Sequence, residues 1–339
     1  MTPARSGLAA PETGRAVPRI RPRSTLLADL GPTLALVLLC VVFAALSPQF
    51  ATWGNLRNIL DSAAVLAVIA VGLTFVLMLG AIDLSIEGVM AAAALCVALL
   101  VANTRNDNDF GLLAIVAATA LGACFGLASG LLSTGLKIPS FMTTLGVSAI
   151  GIGVATVLFG GVQPTITSPE VAAWASGQWL GLTRLTFVAV VVIVVGVLIE
   201  RYTRMGRYAR AIGGAEEIAL LSGVPVRRVK ILAFAFAGAA YGIAGIMVTV
   251  QLGSGIVQAG VGQNFAAITA AVVGGTLLSG GRGGVLHSIV GVLIVTVLVN
   301  GLVLIGVSPY VQRAVQGVIV VVAVAITAWP LRARMRVVK

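Results

Sequence analysis

The feature that most constrains this chain is the recurrence of apolar runs about twenty residues long, separated by glycine clusters and short basic stretches. A bilayer core about 30 Å thick takes roughly 20 apolar residues per helical crossing, so each run is long enough for one. The runs do not alternate apolar with polar residues as barrel strands do. Lipid offers no water to an open backbone, so the spans are expected to be α-helices. Composition agrees. The chain is 59% hydrophobic and 10% charged, whereas about a quarter of a soluble domain is charged. Its mean hydropathy is +1.08. Lipid, rather than water, must cover most of such a surface.

Hydropathy and breakers give about ten segments, near 26–46, 62–80, 85–102, 111–134, 141–160, 184–200, 229–250, 264–279, 284–306 and 310–329. Lys and Arg placement sets their orientation. With both termini in the cytoplasm, only Arg57, Arg105, Arg184 and Arg313 of the 22 basic residues fall outside. An even number of crossings is therefore expected. The expectation is an all-α polytopic membrane protein with one transmembrane domain over 26–330. A basic, proline-bearing tail over 1–25 and a second basic tail over 331–339 flank it. The first apolar run closes in Phe50 and Trp53 with no small-residue cleavage site, which argues against a cleaved leader.

Several function classes drop out. The net charge of +11 lies in tails and loops, where it sets orientation and meets anionic headgroups; nucleic acid is not expected as a partner. Cys40, Cys96 and Cys124 lie inside apolar runs without a CxxC pair, so they read as packing residues rather than a disulfide or zinc framework. His287 is the single histidine, too few for a metal site. None of the three lysines follows a glycine, so no Walker A loop can be drawn. A membrane-embedded enzyme would need paired carboxylates or an activated nucleophile, and neither pattern is present. No cofactor is expected.

Two segments are interrupted. One turns through Gly80-Ala81-Ile82-Asp83-Leu84-Ser85-Ile86-Glu87. The other contains Gly274, Gly275 and Thr276 and turns through Ser279-Gly280-Gly281-Arg282-Gly283-Gly284. Glycine-broken segments in corresponding positions often mark a binding or gating region in transporters. Ala67–Glu87 can be laid over Ala267–His287 as a weak internal repeat. Asp83 and Glu87 are the acidic residues nearest the membrane interior. They read either as part of a helix cap, with Ser85 as N-cap and Glu87 in the first turn, or as groups in a transport pathway. Gln251, Gln263, Asn264, Thr269 and Asn300 are further polar candidates near the breaks. Elsewhere, Gly122, Gly126 and Gly130 form a small-residue ladder, and Gly238, Gly242 and Gly245 form a similar stripe, both expected to pack helices closely.

The long basic loop over 201–230 holds Gly213-Gly214-Ala215-Glu216-Glu217-Ile218-Ala219-Leu220-Leu221-Ser222-Gly223. This reads as a short helix bounded by glycines, with Ile218, Leu220 and Leu221 on an apolar side and two carboxylates at its start. Such a helix suits either docking of a partner protein or rest on lipid headgroups.

Five stretches together resemble the permease subunits of ribose-type ATP-binding-cassette importers. They are Thr203–Tyr208 with Ala211–Gly214 and Glu216–Gly223; Ile82–Ser85; Ile138–Phe141 with Thr144–Gly146; Ala267–Thr276 with Gly280–Gly283; and Asn300–Leu302 with Gly306–Tyr310. They stand in the family's order and cover about 50–328. Four positions depart from its pattern: Ala81 replaces a usual glycine, Ile86-Glu87 a usual Val-Gly, and Ala215 a common asparagine.

The resemblance implies a permease that binds no ATP itself. Cytoplasmic ATP-binding subunits would grip the coupling loop over 201–228 at Gly206, Arg207, Gly213, Gly214, Glu216, Glu217, Ala219, Leu221, Ser222 and Gly223. An extracytoplasmic binding protein would deliver the solute, and a second permease chain, identical or homologous, would complete the pathway. Asp83, Ser85, Glu87, Gln263, Asn264, Gly274, Gly275, Thr276 and Asn300 would line or gate it. The expected cargo is a monosaccharide imported across a bacterial inner membrane. The alternatives are a nucleoside, polyol, autoinducer-type sugar or branched-chain amino acid carried by the same machinery, or an ion-coupled carrier working alone.

Overall fold

Long apolar runs favour uninterrupted helices, the first carrying one interior proline, Pro32, and the glycine clusters set where most of those helices stop. The computed structural model describes residues 25–308 with 311, 312, 314, 315, 317, 318 and 321. The helices are α1 (Thr25–Leu46), α2 (Trp53–Met78), α3 (Ile86–Leu100), α4 (Leu112–Gly135), α5 (Ser140–Phe159) and α6 (Pro169–Ser176). After a two-residue ribbon, β1 (Gln178–Trp179) and β2 (Leu182–Thr183), follow α7 (Arg184–Tyr202), α8 (Arg204–Gly214), α9 (Glu216–Leu221), α10 (Val226–Leu252), α11 (Gln263–Val273) and α12 (Val285–Leu304). The expected N-terminal tail, the C-terminal tail and most of the segment over 310–329 lie outside the described residues.

Helices α2, α4, α5, α7, α10 and α12 are each long and apolar enough to cross a bilayer. Two expected spans are shorter. Helix α3 has 15 residues and α11 has 11, about 22 and 16 Å at 1.5 Å per residue, against the roughly 30 Å of a bilayer core. The segment expected over 264–279 stops at Val273 because Gly274 caps it and Gly275 turns back at φ 103°.

Helices α2, α3 and α10 form the centre. The middle of α2 is fully buried from Val68 to Val71, and α3 is buried along most of its length. Helices α4, α5 and α7 surround them with exposed Leu, Ile and Val faces such as Leu112, Ile150 and Val191. The glycine ladders account for the tightest contact. A β-carbon at Gly122 would strike the Gly238 carbonyl, and one at Gly126 the Phe234 carbonyl, so α4 and α10 pack backbone to backbone. Gly245 departs from the expected stripe and faces Met90 of α3 instead. Cys124 is exposed on α4, whereas Cys40 and Cys96 are half-buried.

The short glycine-bounded helix expected in the basic loop is α9, and a second helix, α8, precedes it. Gly213 and Gly214 end α8 rather than opening α9, because Ala215 adopts an extended backbone between them (φ −164°, ψ 93°). Ile218, Leu220 and Leu221 are exposed, and only Ala219 of α9 faces the core. Under the sequence superposition of the two broken segments Gly80 falls on Gly280, and these two glycines are in contact.

Candidate functional site

Two chain breaks meet halfway along α10. After Gly80 (φ 73°) the chain does not turn straight into α3 but runs without regular structure from Ala81 to Leu84, Ser85 already having helical angles (φ −83°, ψ −7°). Three hydroxyls on one face of α5 hold it. Ser140 Oγ accepts the Ile82 N–H at 3.0 Å, Thr144 Oγ1 the Leu84 N–H at 2.9 Å and Ser148 Oγ the Gly88 N–H at 3.2 Å. Residues four apart on a helix lie on one face, so the three hydroxyls reach two N–H groups of the break and one in the first turn of α3. This ladder is absent from the sequence expectations, although Ser140 and Thr144 stand in one of the quoted motifs.

Asp83 is fully buried at the break. Its Oδ1 accepts the Ser85 N–H at 2.9 Å and the Ser85 hydroxyl at 2.6 Å, and its Oδ2 accepts the Tyr241 hydroxyl at 3.2 Å. Ser85 does occupy the N-cap position of α3, but its side chain makes no capping bond there. Its hydroxyl donates to Asp83, and the Gly88 N–H that an N-cap side chain would accept goes to Ser148 instead.

The second break descends from the opposite side. Residues 253–262 run down α3, with Gly255 against Ala98 and Gly260 against the Glu87 backbone. Glu87 Oε1 accepts the Gly262 N–H at 3.0 Å, and Asn264 Nδ2 donates to the Leu84 carbonyl at 3.3 Å. The N-termini of α3 and α11 thus converge beside Asp83 and Glu87, where helix dipoles favour negative or oxygen-rich groups. Asn264 Oδ1 is buried without a hydrogen-bond partner. Gln263 is half-buried at the start of α11, Thr269 donates to its own helix, and Gln251 is exposed away from the break.

Below the break, α11 and α12 are joined by the loop over 274–284. Thr276 is buried and lies 3.2 Å from Ser288, which receives the Thr74 hydroxyl at 2.7 Å. Gly274 packs on the His287 carbonyl. Asn300 stands at the far end of α12. Its amide pairs reciprocally with Asn55 at 2.9 Å in both directions, which leaves it remote from the break.

The basic loop reaches the Gly80 break and the 274–284 loop through glycine. A β-carbon at Gly213 would strike the Met78 carbonyl and the Gly281 nitrogen, and Gly280 touches both Gly80 and Gly213. Gly281 N–H donates to the Met78 carbonyl at 3.0 Å. The ends of α2 and α8 and the loop over 274–284 therefore meet without intervening side chains. Glu200, at the end of α7, adds a polar link absent from the sequence expectations. It is buried, ion-paired with Arg210 of α8, and accepts the Val285 N–H that opens α12 at 2.7 Å. Gly206 packs on its backbone, and Gly284 leaves room for its carboxylate.

Arg207, Gly214, Glu217, Leu221, Ser222 and Gly223 are exposed on this end. Glu216 pairs with Lys230 of α10 at 2.7 Å. Among the described residues no group of three His, Cys, Asp or Glu is placed to hold a metal ion.

Comparison with known proteins gives three further findings. The family described as "Branched-chain amino acid transport system / permease component" matches residues 55–324. The ribose import permease of Escherichia coli (strain K12) is 36% identical over 298 residues, covering 86% of this chain and 91% of that protein. The ribose import permease of Bacillus subtilis (strain 168) is 35% identical over 297 residues, and the L-arabinose transport system permease of Escherichia coli (strain K12) is 31% identical over 302 residues. These cover 87% and 89% of this chain, and 91% and 90% of the respective relatives. No solved structure matches the chain.

Proposed function

The chain belongs to the family of branched-chain amino acid transport system permease components, and from that premise we propose that it forms the membrane pathway of an ATP-driven monosaccharide importer. It is a multi-pass protein of the bacterial inner membrane. The relatives named for ribose and L-arabinose, alike over most of their lengths, favour a sugar over the amino acids in the family's description.

The observation that carries the mechanism is the glycine contact of Gly213 with Met78 and Gly281, which joins α8 to the end of α2, just before the Gly80 break, and to the 274–284 loop. In this reading ATP is hydrolysed by a cytoplasmic partner that seats on α8 and α9. Exposed Ile218, Leu220 and Leu221 give that partner an apolar peg, and Arg207 and Glu217 a charged rim. Closure of the ATPase pair moves α8 as a rigid element. Gly213 passes the displacement to the end of α2 and the 274–284 loop, and Glu200 passes it to the first turn of α12. An extracytoplasmic binding protein supplies sugar at the opposite end, where α6 and the β1–β2 ribbon lie. Asn264 Oδ1 offers an acceptor for a sugar hydroxyl at the break, beside Asp83 and Glu87.

The basic residues favour ten crossings with both termini in the cytoplasm, α3 and α11 completing theirs with non-helical chain. A second permease chain, identical or homologous, frames the pathway. The test is uptake into proteoliposomes holding the permease, ATPase and binding protein. Labelled ribose or arabinose is expected to accumulate only with ATP, and labelled leucine not at all. Leucine accumulation without sugar accumulation would reject the substrate class.

A further inference from the structure

Next to the coupling helices lies a cavity of about 640 Å³, whose lining includes Leu220 of the proposed docking peg. It opens between the α4–α5 turn, α9 and the start of α10, with Leu79 to Ala81 along one wall. Lys137, Arg227 and Lys230 line it, with Glu216 as its only carboxylate. Glu216 pairs with Lys230. Among the described residues neither Lys137 nor Arg227 lies within ion-pair distance of a carboxylate. The cavity therefore holds an excess of two positive charges.

Two further observations point to an anion. Lys137 itself is the left-handed residue (φ 54°) just past the α4 C-cap, a common way for a helix to end. The Ser140 hydroxyl shares the lining and only accepts the Ile82 N–H, so its proton is free for an anion, whereas those of Ser133 and Thr134 donate to the Gly130 carbonyl. The first turn of α10, with its unsatisfied N–H groups, opens beside Arg227. A volume of about 640 Å³ exceeds a bare phosphate several-fold, and Phe234, Leu79 and Ile138 supply apolar wall for an attached body. Just outside, Leu132, Leu136 and Met142 expose apolar surface on α4 and α5.

We propose that this cavity binds a phosphate group carried on a larger body, either an anionic phospholipid headgroup or a soluble phosphate ester, between Lys137, Arg227 and Lys230. The ligand touches Gly80 and Ser140, which anchor the break, and competes with Glu216 for Lys230. Occupancy therefore bridges α9 and the break. Its placement on the cytoplasmic side rests on the proposed orientation; the binding itself does not.

The test uses the assembled transporter in nanodiscs and reads binding, not transport. One arm measures by native mass spectrometry how much phosphatidylglycerol is retained from mixed phosphatidylglycerol–phosphatidylcholine discs. The other measures the shift of unfolding temperature on adding inorganic phosphate or glycerol phosphate in phosphatidylcholine discs. The double variant Lys137→Ala/Arg227→Ala is expected to lower retention, or the ester affinity, by about tenfold. Arg228→Ala, which removes a neighbouring charge outside the cavity, is expected to leave both unchanged. An effect in the lipid arm alone identifies the headgroup as ligand, and an effect in the ester arm alone identifies a soluble ester. If the folded double variant equals the parent in both arms, or Arg228→Ala lowers binding as much, the proposal is overturned. Lys137→Arg/Arg227→Lys preserves charge and folding, and serves if the alanine pair fails to assemble; full binding by that variant is expected, and its loss would also overturn the proposal.

Discussion

The two ends of the helix bundle are held together in opposite ways. At the end carrying α6 and the β1–β2 ribbon, side chains clamp backbone. Asn103 donates to the Ala98 and Val101 carbonyls at 2.9 and 2.8 Å, and Arg105 donates to the Leu158 and Phe159 carbonyls at 2.8 and 2.9 Å. Asp61 accepts the Thr183 and Thr186 hydroxyls at 2.7 and 2.5 Å, and Arg184 lies over Trp174 and Trp179. At the end carrying α8 and α9, Gly80, Gly213, Gly280 and Gly281 bring backbones into direct contact, and Glu200 is the main polar tie. Many separate side-chain bonds make a fixed platform. A backbone contact with no side chain between transmits a displacement without taking it up in rotamers. The contrast assigns anchoring to one end and movement to the other.

Substitutions can break that contrast in order of expected effect. Gly213→Val drives a branched side chain into the Met78 carbonyl, so ATP-driven uptake should fall by about tenfold or more while membrane insertion is kept. Uptake rates per inserted transporter check this. Glu216→Lys with Glu217→Lys reverses charge on α9 and should weaken capture of the ATPase by roughly tenfold, measured by co-purification; equal recovery would remove α9 from the docking surface. Glu200→Gln keeps an acceptor for the Val285 N–H but loses the charge opposite Arg210. Arg210 is partly exposed and stays solvated. The expected result is about threefold more ATP hydrolysed per solute rather than unfolding. At the opposite end, Asp61→Asn should cost about 1–2 kcal/mol of stability, a fall of a few degrees in unfolding temperature. Uptake per folded transporter should not change. A transport defect there larger than that of Glu200→Gln would erase the distinction between the ends.

Much of the fold is legible in the sequence because lipid imposes a single rule on every crossing. Apolar length and glycine breaks place α1, α2, α4, α5, α7, α10 and α12 within a few residues, α2 excepted at its start. Helix α2 begins at Trp53, not near 62, because Thr52 caps it and a polar first stretch is tolerated where Asn55 finds Asn300. Residues 161–183 were not legible. Helix α6 is eight residues long with no buried residue, too short to register as a hydropathic run. The site divides similarly. Asp83, Glu87 and the glycine turns announce themselves by being unusual in an apolar context. Glu200 and the Ser140–Thr144–Ser148 ladder do not, because each acts on a partner far away in the chain. Ser140 meets Ile82, and Glu200 meets Val285. The α8–α9 division is hidden for a third reason: Gly213-Gly214 suits a helix end as well as a helix start, and only the extended Ala215 decides it.

The most direct test of a mid-bundle break governed from the α8–α9 end is nucleotide-dependent access to that break. A single cysteine at Asn264 (Asn264→Cys), in a chain lacking Cys40, Cys96 and Cys124, is reacted with a membrane-impermeant maleimide in the assembled transporter. Labelling should depend on the side of addition, and it should change when a non-hydrolysable ATP analogue is bound. Adding Gly213→Val should abolish the response to nucleotide while leaving the cysteine reactive. Labelling that ignores nucleotide, or a response that survives intact in the Gly213→Val background, would contradict the account.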